Sequence, residues 1–255
     1  ALSGCFPGPE DDAHRRAVLA SLLKERASVN TSLQSLSSIP VEAWPKEQLG
    51  NLAEAAVSFL ASREPKDRNS DQAQIALKIA EGVRTRLDDA GRVRFEKRLS
   101  EVVVPLIALG TVRERMIYDR ETVAVQAGRP VEFRLTNTDN MPHNFAVVLP
   151  GTMVEVGELA EATGRDADAA ARQFIPKSEN ILVASKLVQP EQTDSIFFEV
   201  PKEPGIYPYV CRYPGHWRRM YGALYVVADL KAYEADPAAY IAANKLEMKD
   251  DLLKY

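Results

Sequence analysis

Two apolar periods divide this chain. Up to about residue 100, apolar positions recur every three or four residues, the spacing of one helical face. Val18, Leu19, Leu22 and Leu23 form a first stripe, opened by Pro9 and the acidic run Glu10-Asp11-Asp12. Trp44-Pro45 opens a second helix, with Leu49, Leu52, Ala53, Ala56, Phe59 and Leu60 on one side. Ser70 can cap a third, which turns Ala76, Ile79, Ala80, Val83 and Leu87 inward. Asp89-Ala90-Gly91 reads as a break before a short helix carrying Val93, Phe95 and Leu99.

After Val102-Val103-Val104-Pro105 the period becomes two. Val123 and Val125 alternate with polar or small neighbours, Gly128-Arg129-Pro130 turns the chain, and Val131, Phe133 and Leu135 continue the alternation. One-face burial of this kind predicts antiparallel strands. Phe145–Leu149, Ile196–Val200, Ile206–Val210 and Ala223–Val227 supply further strands. Between Gly151 and Pro176 an alanine-rich stretch predicts a helical insertion, and past Val227 two short helices are expected around Tyr233 and Tyr240. The expected class is α+β multidomain. A small α-helical bundle over 1–101, which could end a helical-repeat array, precedes a Greek-key β-sandwich over 102–228 and a helical tail over 229–255.

Composition narrows the partners. The 255 residues carry 32 Lys+Arg against 36 Asp+Glu, a net charge of −4, which argues against nucleic acid or an anionic membrane surface. No apolar run approaches the roughly 18 residues of a membrane-spanning helix. Leu2-Ser3-Gly4-Cys5 looks like a lipoprotein cleavage box without its leader, so Cys5 is expected to be a free thiol on a trimmed or internal start. No Cys-x-x-Cys-His haem motif occurs, and with two cysteines in all an intradomain disulfide is not expected.

The candidate chemistry lies in the second half. Tyr209–Gly222 contains Cys211, His216 and Met220 in the spacing Cys-x4-His-x3-Met, between two predicted strands and beside the turn residues Pro214 and Gly215. Upstream, Asn140-Met141-Pro142-His143-Asn144-Phe145 brings a second imidazole. Two histidines and a cysteine with a weak axial methionine are the ligands of a blue-copper electron-transfer site, because thiolate and thioether suit Cu(I) while imidazole serves both oxidation states. A buried free cysteine beside an ordinary surface histidine is the plain alternative. His14, the remaining histidine, sits beside Arg15 and Arg16 and reads as solvated.

At these residues the chain resembles the cupredoxins, the type 1 blue-copper family, and their azurin-like members in particular. The shared features are the Cys-x4-His-x3-Met loop with Pro214-Gly215 before the histidine, and Met141-Pro142-His143-Asn144 upstream. The stretches Phe174–Val188 and Asp194–Val200 also fit, so the resemblance runs over about residues 102 to 228. It departs at Pro142, where azurins have glycine. The resemblance implies one type 1 copper held by His143, Cys211 and His216, with Met220 axial. Asn144 and Pro142 then lie behind the ligands, with Asn144 tying the two ligand loops together. It also implies a periplasmic or extracytoplasmic place and a Greek-key sandwich.

The expected function is electron transfer by a copper cycling between Cu(I) and Cu(II), in the terminal module of a larger exported redox protein. The partner would be a protein such as a cytochrome, or an adjacent domain. The ring edge of His216 is expected near the surface as the electron port. Trp217, Arg218 and Arg219, with Arg212 close by, are expected to form a docking face for an acidic partner. Two rivals remain at this level. A copper enzyme would need further imidazoles that three histidines do not supply, apart from an electron-entry role, and a structural or docking module would bind copper incidentally.

Overall fold

The computed structural model describes Glu42, Trp44 and residues 46–250. The expected first helix, His14 and Cys5 lie outside the described residues. The chain divides into two compact units, the first ending at Val104 and the second beginning at Pro105. Among the described residues no helix is long and apolar enough to cross a membrane.

The first unit contains three described helices: α1 (Lys46–Ala61), α2 (Asp71–Arg84) and α3 (Asp89–Val102). Helix α1 is rich in Ala, Leu and Glu, good helix formers, and buries Leu49, Leu52, Val57, Phe59 and Leu60. Helix α2 meets it with the small side chains Ala73, Ala76, Ala80 and Val83, all fully buried, so the two backbones can approach closely. Asp89-Ala90-Gly91, expected as a break, is instead the first turn of α3. The preceding Asp88 caps it by accepting the Gly91 N–H at 2.7 Å, which satisfies a donor that a helix start leaves open. Val93 is 64% exposed rather than inward, while Phe95 and Leu99 are buried.

The second unit is a two-sheet sandwich. Its strands are β1 (Leu106–Val112), β2 (Ile117–Tyr118), β3 (Thr122–Gln126), β4 (Pro130–Thr136), β5 (Ala146–Val148), β6 (Ile181–Ala184), β7 (Thr193–Glu199), β8 (Gly205–Val210) and β9 (Tyr221–Val227). One sheet has the order β2-β1-β4-β7 and the other β3-β9-β8-β5-β6. Alternation had predicted antiparallel strands, yet β1 runs parallel to β4 and β3 parallel to β9. Period-two burial is the same in both orientations, so the pattern cannot distinguish them; the pairing depends on which distant strand each one reaches. Leu109, Phe133, Leu135, Phe145, Tyr209 and Leu224 fill the space between the sheets.

The insertion forms one helix, α4 (Met153–Thr163), followed by turns. Met153 and Val156 of α4 pack with Val148, Val210 and Trp217 in a second, outer core. Its first turn is capped from far along the chain, where the buried Asp250 accepts the N–H groups of Gly151 at 2.7 Å and Met153 at 2.9 Å. The tail supplies α5 (Leu230–Ala235) and α6 (Pro237–Asn244). Tyr233 stacks near Tyr225 of β9 at 5.6 Å, and the Tyr240 hydroxyl accepts from the backbone of Ala228 and Asp229. These contacts of Tyr233 and Tyr240 pack the tail on the sandwich.

Candidate metal centre

Strands β8 and β9 are joined by the loop that carries Cys211, His216 and Met220. The Cys211 N–H donates to the Met220 carbonyl at 2.9 Å, closing the loop like a hairpin. Inside it, Gly215 takes φ +84°, a left-handed backbone that side-chain-bearing residues avoid, and this reverses the chain just before His216. The N–H groups of Arg219 and Met220 both donate to the His216 carbonyl, at 3.0 and 2.9 Å, so the loop ends in a tight helical turn. His143 arrives from the other side, before β5, clamped by reciprocal backbone bonds with Val188 at 3.1 and 2.7 Å.

The geometry brings three donor atoms together. His143 Nδ1 is 3.9 Å from Cys211 Sγ, His216 Nδ1 is 3.7 Å from the same sulfur, and the two Nδ1 atoms are 3.2 Å apart. All three residues are buried and could hold a single metal ion. Met220 is fully buried in the same core cluster as Cys211.

The arrangement suits a soft cation for electrostatic reasons. On its far side, His143 Nε2 lies 2.9 Å from Asp139 Oδ2, and both side chains are buried. Burial alone would push the Asp139 carboxyl up. The Glu114 N–H, the His143 ring and the Asn140 N–H together outweigh that and hold it below the ordinary carboxylate value. The carboxylate is thus ionised and can only accept, so His143 donates from Nε2 and presents a bare Nδ1 to His216 and Cys211. Two facing nitrogens at 3.2 Å need a proton or a cation between them. Burial pushes the Cys211 thiol up to about 11, and burial with His143 beside it pulls His216 down to about 4. A cation that replaces the thiol proton relieves both costs.

Asn144 ties the two ligand loops together. Its Oδ1 accepts the Arg212 N–H at 2.6 Å and lies 3.5 Å from Cys211 Sγ, while its Nδ2 donates to the Gln173 carbonyl at 3.2 Å. Tyr118 donates its hydroxyl to the Asn144 carbonyl at 2.6 Å. Pro142 is half-buried directly before His143.

The expected docking face is corrected. Trp217 is 3% exposed, packed against α4 in the outer core, and offers no aromatic contact to a partner. Arg212 is fully buried, donating to the carbonyls of Phe145 and Ser185 at 3.2 Å, and burial pulls its guanidinium down to about 10. Arg218 lies over the Trp217 ring at 4.3 Å and pairs with Glu161 of α4. Arg219 remains exposed. His216 is 5% exposed, with the half-buried Tyr213 ring 4.8 Å from it, so its edge is largely covered. The pattern Trp-Arg-Arg looks like surface because nothing in it records the helix that folds over it from the insertion.

Asp139, Tyr213 and the turn at Gln173 and Phe174 were missed by sequence reasoning. Asp139 had a signal, a carboxylate four residues before a candidate ligand. Gln173 and Phe174 had none; both take left-handed φ, 57° and 55°, which points the Gln173 carbonyl at Asn144 and sets Phe174 5.1 Å from Tyr213.

Residues 106–227 match the family described as copper binding proteins, plastocyanin/azurin family. Auracyanin-A from Chloroflexus aurantiacus is 30% identical over 120 residues, which cover 47% of this chain and 73% of that protein. The solved structure of auracyanin A, a "blue" copper protein from the same bacterium, is similar with a TM-score of 0.45 and 31% identity, over 49% of this chain and all of that one. Dithionite-reduced auracyanin from Roseiflexus castenholzii is similar with a TM-score of 0.44 and 28% identity, over 49% of this chain and 98% of that one.

Proposed function

The chain belongs to the plastocyanin/azurin family of copper-binding proteins, and from that premise we propose that its second unit carries single electrons through one type 1 copper held by His143, Cys211, His216 and Met220. The convergence of two histidine Nδ1 atoms and one cysteine Sγ in a buried cluster is the observation that carries the reading. Copper bound there supplies a one-electron couple, Cu(I)/Cu(II), tuned by the thiolate and a weak thioether.

The protein's own groups do the rest. The Asn144 bond to Arg212 N–H and the Val188 clamp on His143 hold the donors in place before any ion arrives, so little has to move when charge changes. Burial of all three donors keeps bulk water off the site. Cys211 is protonated at neutral pH without metal, and loading releases that proton. The electron would leave through His216, whose ring has the half-buried Tyr213 ring 4.8 Å from it. The partner would be a redox protein such as a cytochrome, or a neighbouring domain of a larger exported protein, in the periplasm or another extracytoplasmic space.

Titration of the copper-free protein with Cu(II), followed optically, tests the reading. One equivalent should produce an intense blue thiolate-to-copper absorption that a reductant bleaches, and Cys211→Ser should abolish it while the sheet signal in circular dichroism persists. A full band in Cys211→Ser, or no band in the unmutated protein, would sink the assignment.

A further inference from the structure

We propose that Asp139 is the positioning residue of the copper centre, because its buried carboxylate accepts the hydrogen bond of the His143 Nε2–H, turns the Nδ1 lone pair toward Cys211 and His216, and sets a fixed negative charge one imidazole ring from the ion. The inference rests on the copper reading above for its effect on potential, and on the metal-free geometry for its effect on the ring.

The geometry is one-sided. Asp139 Oδ1 accepts two backbone N–H groups, from Glu114 at 2.9 Å and Asn140 at 2.7 Å, which leaves Oδ2 for the ring at 2.9 Å. The backbone of Asp139 is itself fixed, its N–H donating to Asn137 Oδ1 at 3.0 Å and Thr111 Oγ1 at 3.1 Å. Among the described residues His143 is its one ion-pair partner, and no lysine or arginine neutralises the carboxylate. A hydrogen-bonded carboxylate raises the basicity of the imidazole in front of it and favours the more highly charged Cu(II), so its presence lowers the reduction potential.

The same geometry predicts how the site fails. In Asp139→Asn the two backbone donors still require an oxygen at the Oδ1 position, which puts the amide NH2 against the ring. His143 Nε2 must then accept, and its proton moves to Nδ1, the side that faces Cys211. In Asp139→Ala the ring has no partner and the charge is gone, but Nδ1 is not blocked.

Imidazole 15N chemical shifts of the full chain decide this without metal. The unmutated copper-free protein should show His143 as the Nε2–H tautomer, Asp139→Asn as the Nδ1–H tautomer, and Asp139→Ala as a mixture. Copper affinity should fall at least tenfold in Asp139→Asn, within the 10- to 100-fold range typical of such partners. In Asp139→Ala the ratio of Cu(II) to Cu(I) affinity should fall at least tenfold, a rise in potential of about 59 mV. A merely structural Asp139 would change denaturant midpoints and leave tautomer and potential alone. An Nε2–H tautomer with unaltered affinity in Asp139→Asn, or an unchanged potential in Asp139→Ala, overturns the proposal. If the unmutated protein binds no copper, the functional reading fails, and the tautomers still decide whether Asp139 positions the ring.

Discussion

A side-chain carbon placed on Gly157 of α4 would sit 2.3 Å from Cδ2 of Trp217, so the indole occupies the place where the helix lacks a side chain. The residue after a proposed copper ligand is therefore held by the insertion. Without this glycine the helix could not lie so close to the copper loop.

Gly157→Val should accordingly cost about 1–3 kcal/mol of stability, the usual range for overpacking a filled core. Because Trp217 follows His216, the copper absorption should shift as well. Denaturant unfolding and the visible spectrum report the two effects separately, and an unchanged value of both would mean that α4 moves freely off the loop.

Met220 is buried beside Cys211 in the same cluster. A weak thioether favours Cu(II) slightly, so Met220→Leu should raise the reduction potential and Met220→Gln, with a harder oxygen donor, should lower it. A tenfold change in relative affinity is about 59 mV for one electron, and each shift should be of that order. Voltammetry that finds both variants at the original potential would remove Met220 from the axial position.

Without copper, stability should depend on His216. Its folded-state value of about 4 lies below the roughly 6.5 of an unfolded chain, so the unfolded state takes up the proton first as pH falls. Stability is complete above about pH 6.5, declines between there and about pH 4, and levels off below, by at most about 3 kcal/mol for this group. Denaturant midpoints of the metal-free protein over that window check the sign, and a stability that rises on acidification would contradict it.

All four proposed ligands follow Pro105, and that unit has its own core. A fragment of residues 102–255 should therefore fold and take up one copper without the helices. One ending at 228 should be less stable, because it loses Asp250 from the start of α4. A folded 102–255 fragment with no copper affinity would put part of the site in the first half of the chain.

What was legible in the sequence was whatever depends on local spacing. Cys211, His216 and Met220 lie in one loop, and Pro214-Gly215 with the flanking apolar rows announced the turn that gathers them. The helices showed in the same way, through Leu49 to Leu60 and Ala76 to Val83. What could not be read depends on distant contacts. Trp217 looked like a surface residue until α4 covered it, and Arg212 until its guanidinium reached the carbonyls of Phe145 and Ser185, and the cap of α4 comes from Asp250. The turn at Asp89 was misjudged locally, because Asp-Ala-Gly ends helices as readily as it begins them.

The two parallel pairings bear on how the domain is made. Strand β1 is completed by β4, but β3 has no neighbour until β9, the last strand of the sandwich, and Val123 then pairs with Leu224. A chain emerging from the ribosome holds β3 with an unmatched edge through most of the domain's synthesis, and such long-range closure slows folding and leaves edges open to wrong partners. The loop carrying Cys211 also emerges just before β9. The sheet and the ligand set are thus finished together, once β9 has emerged, and metal insertion can be no earlier than that step.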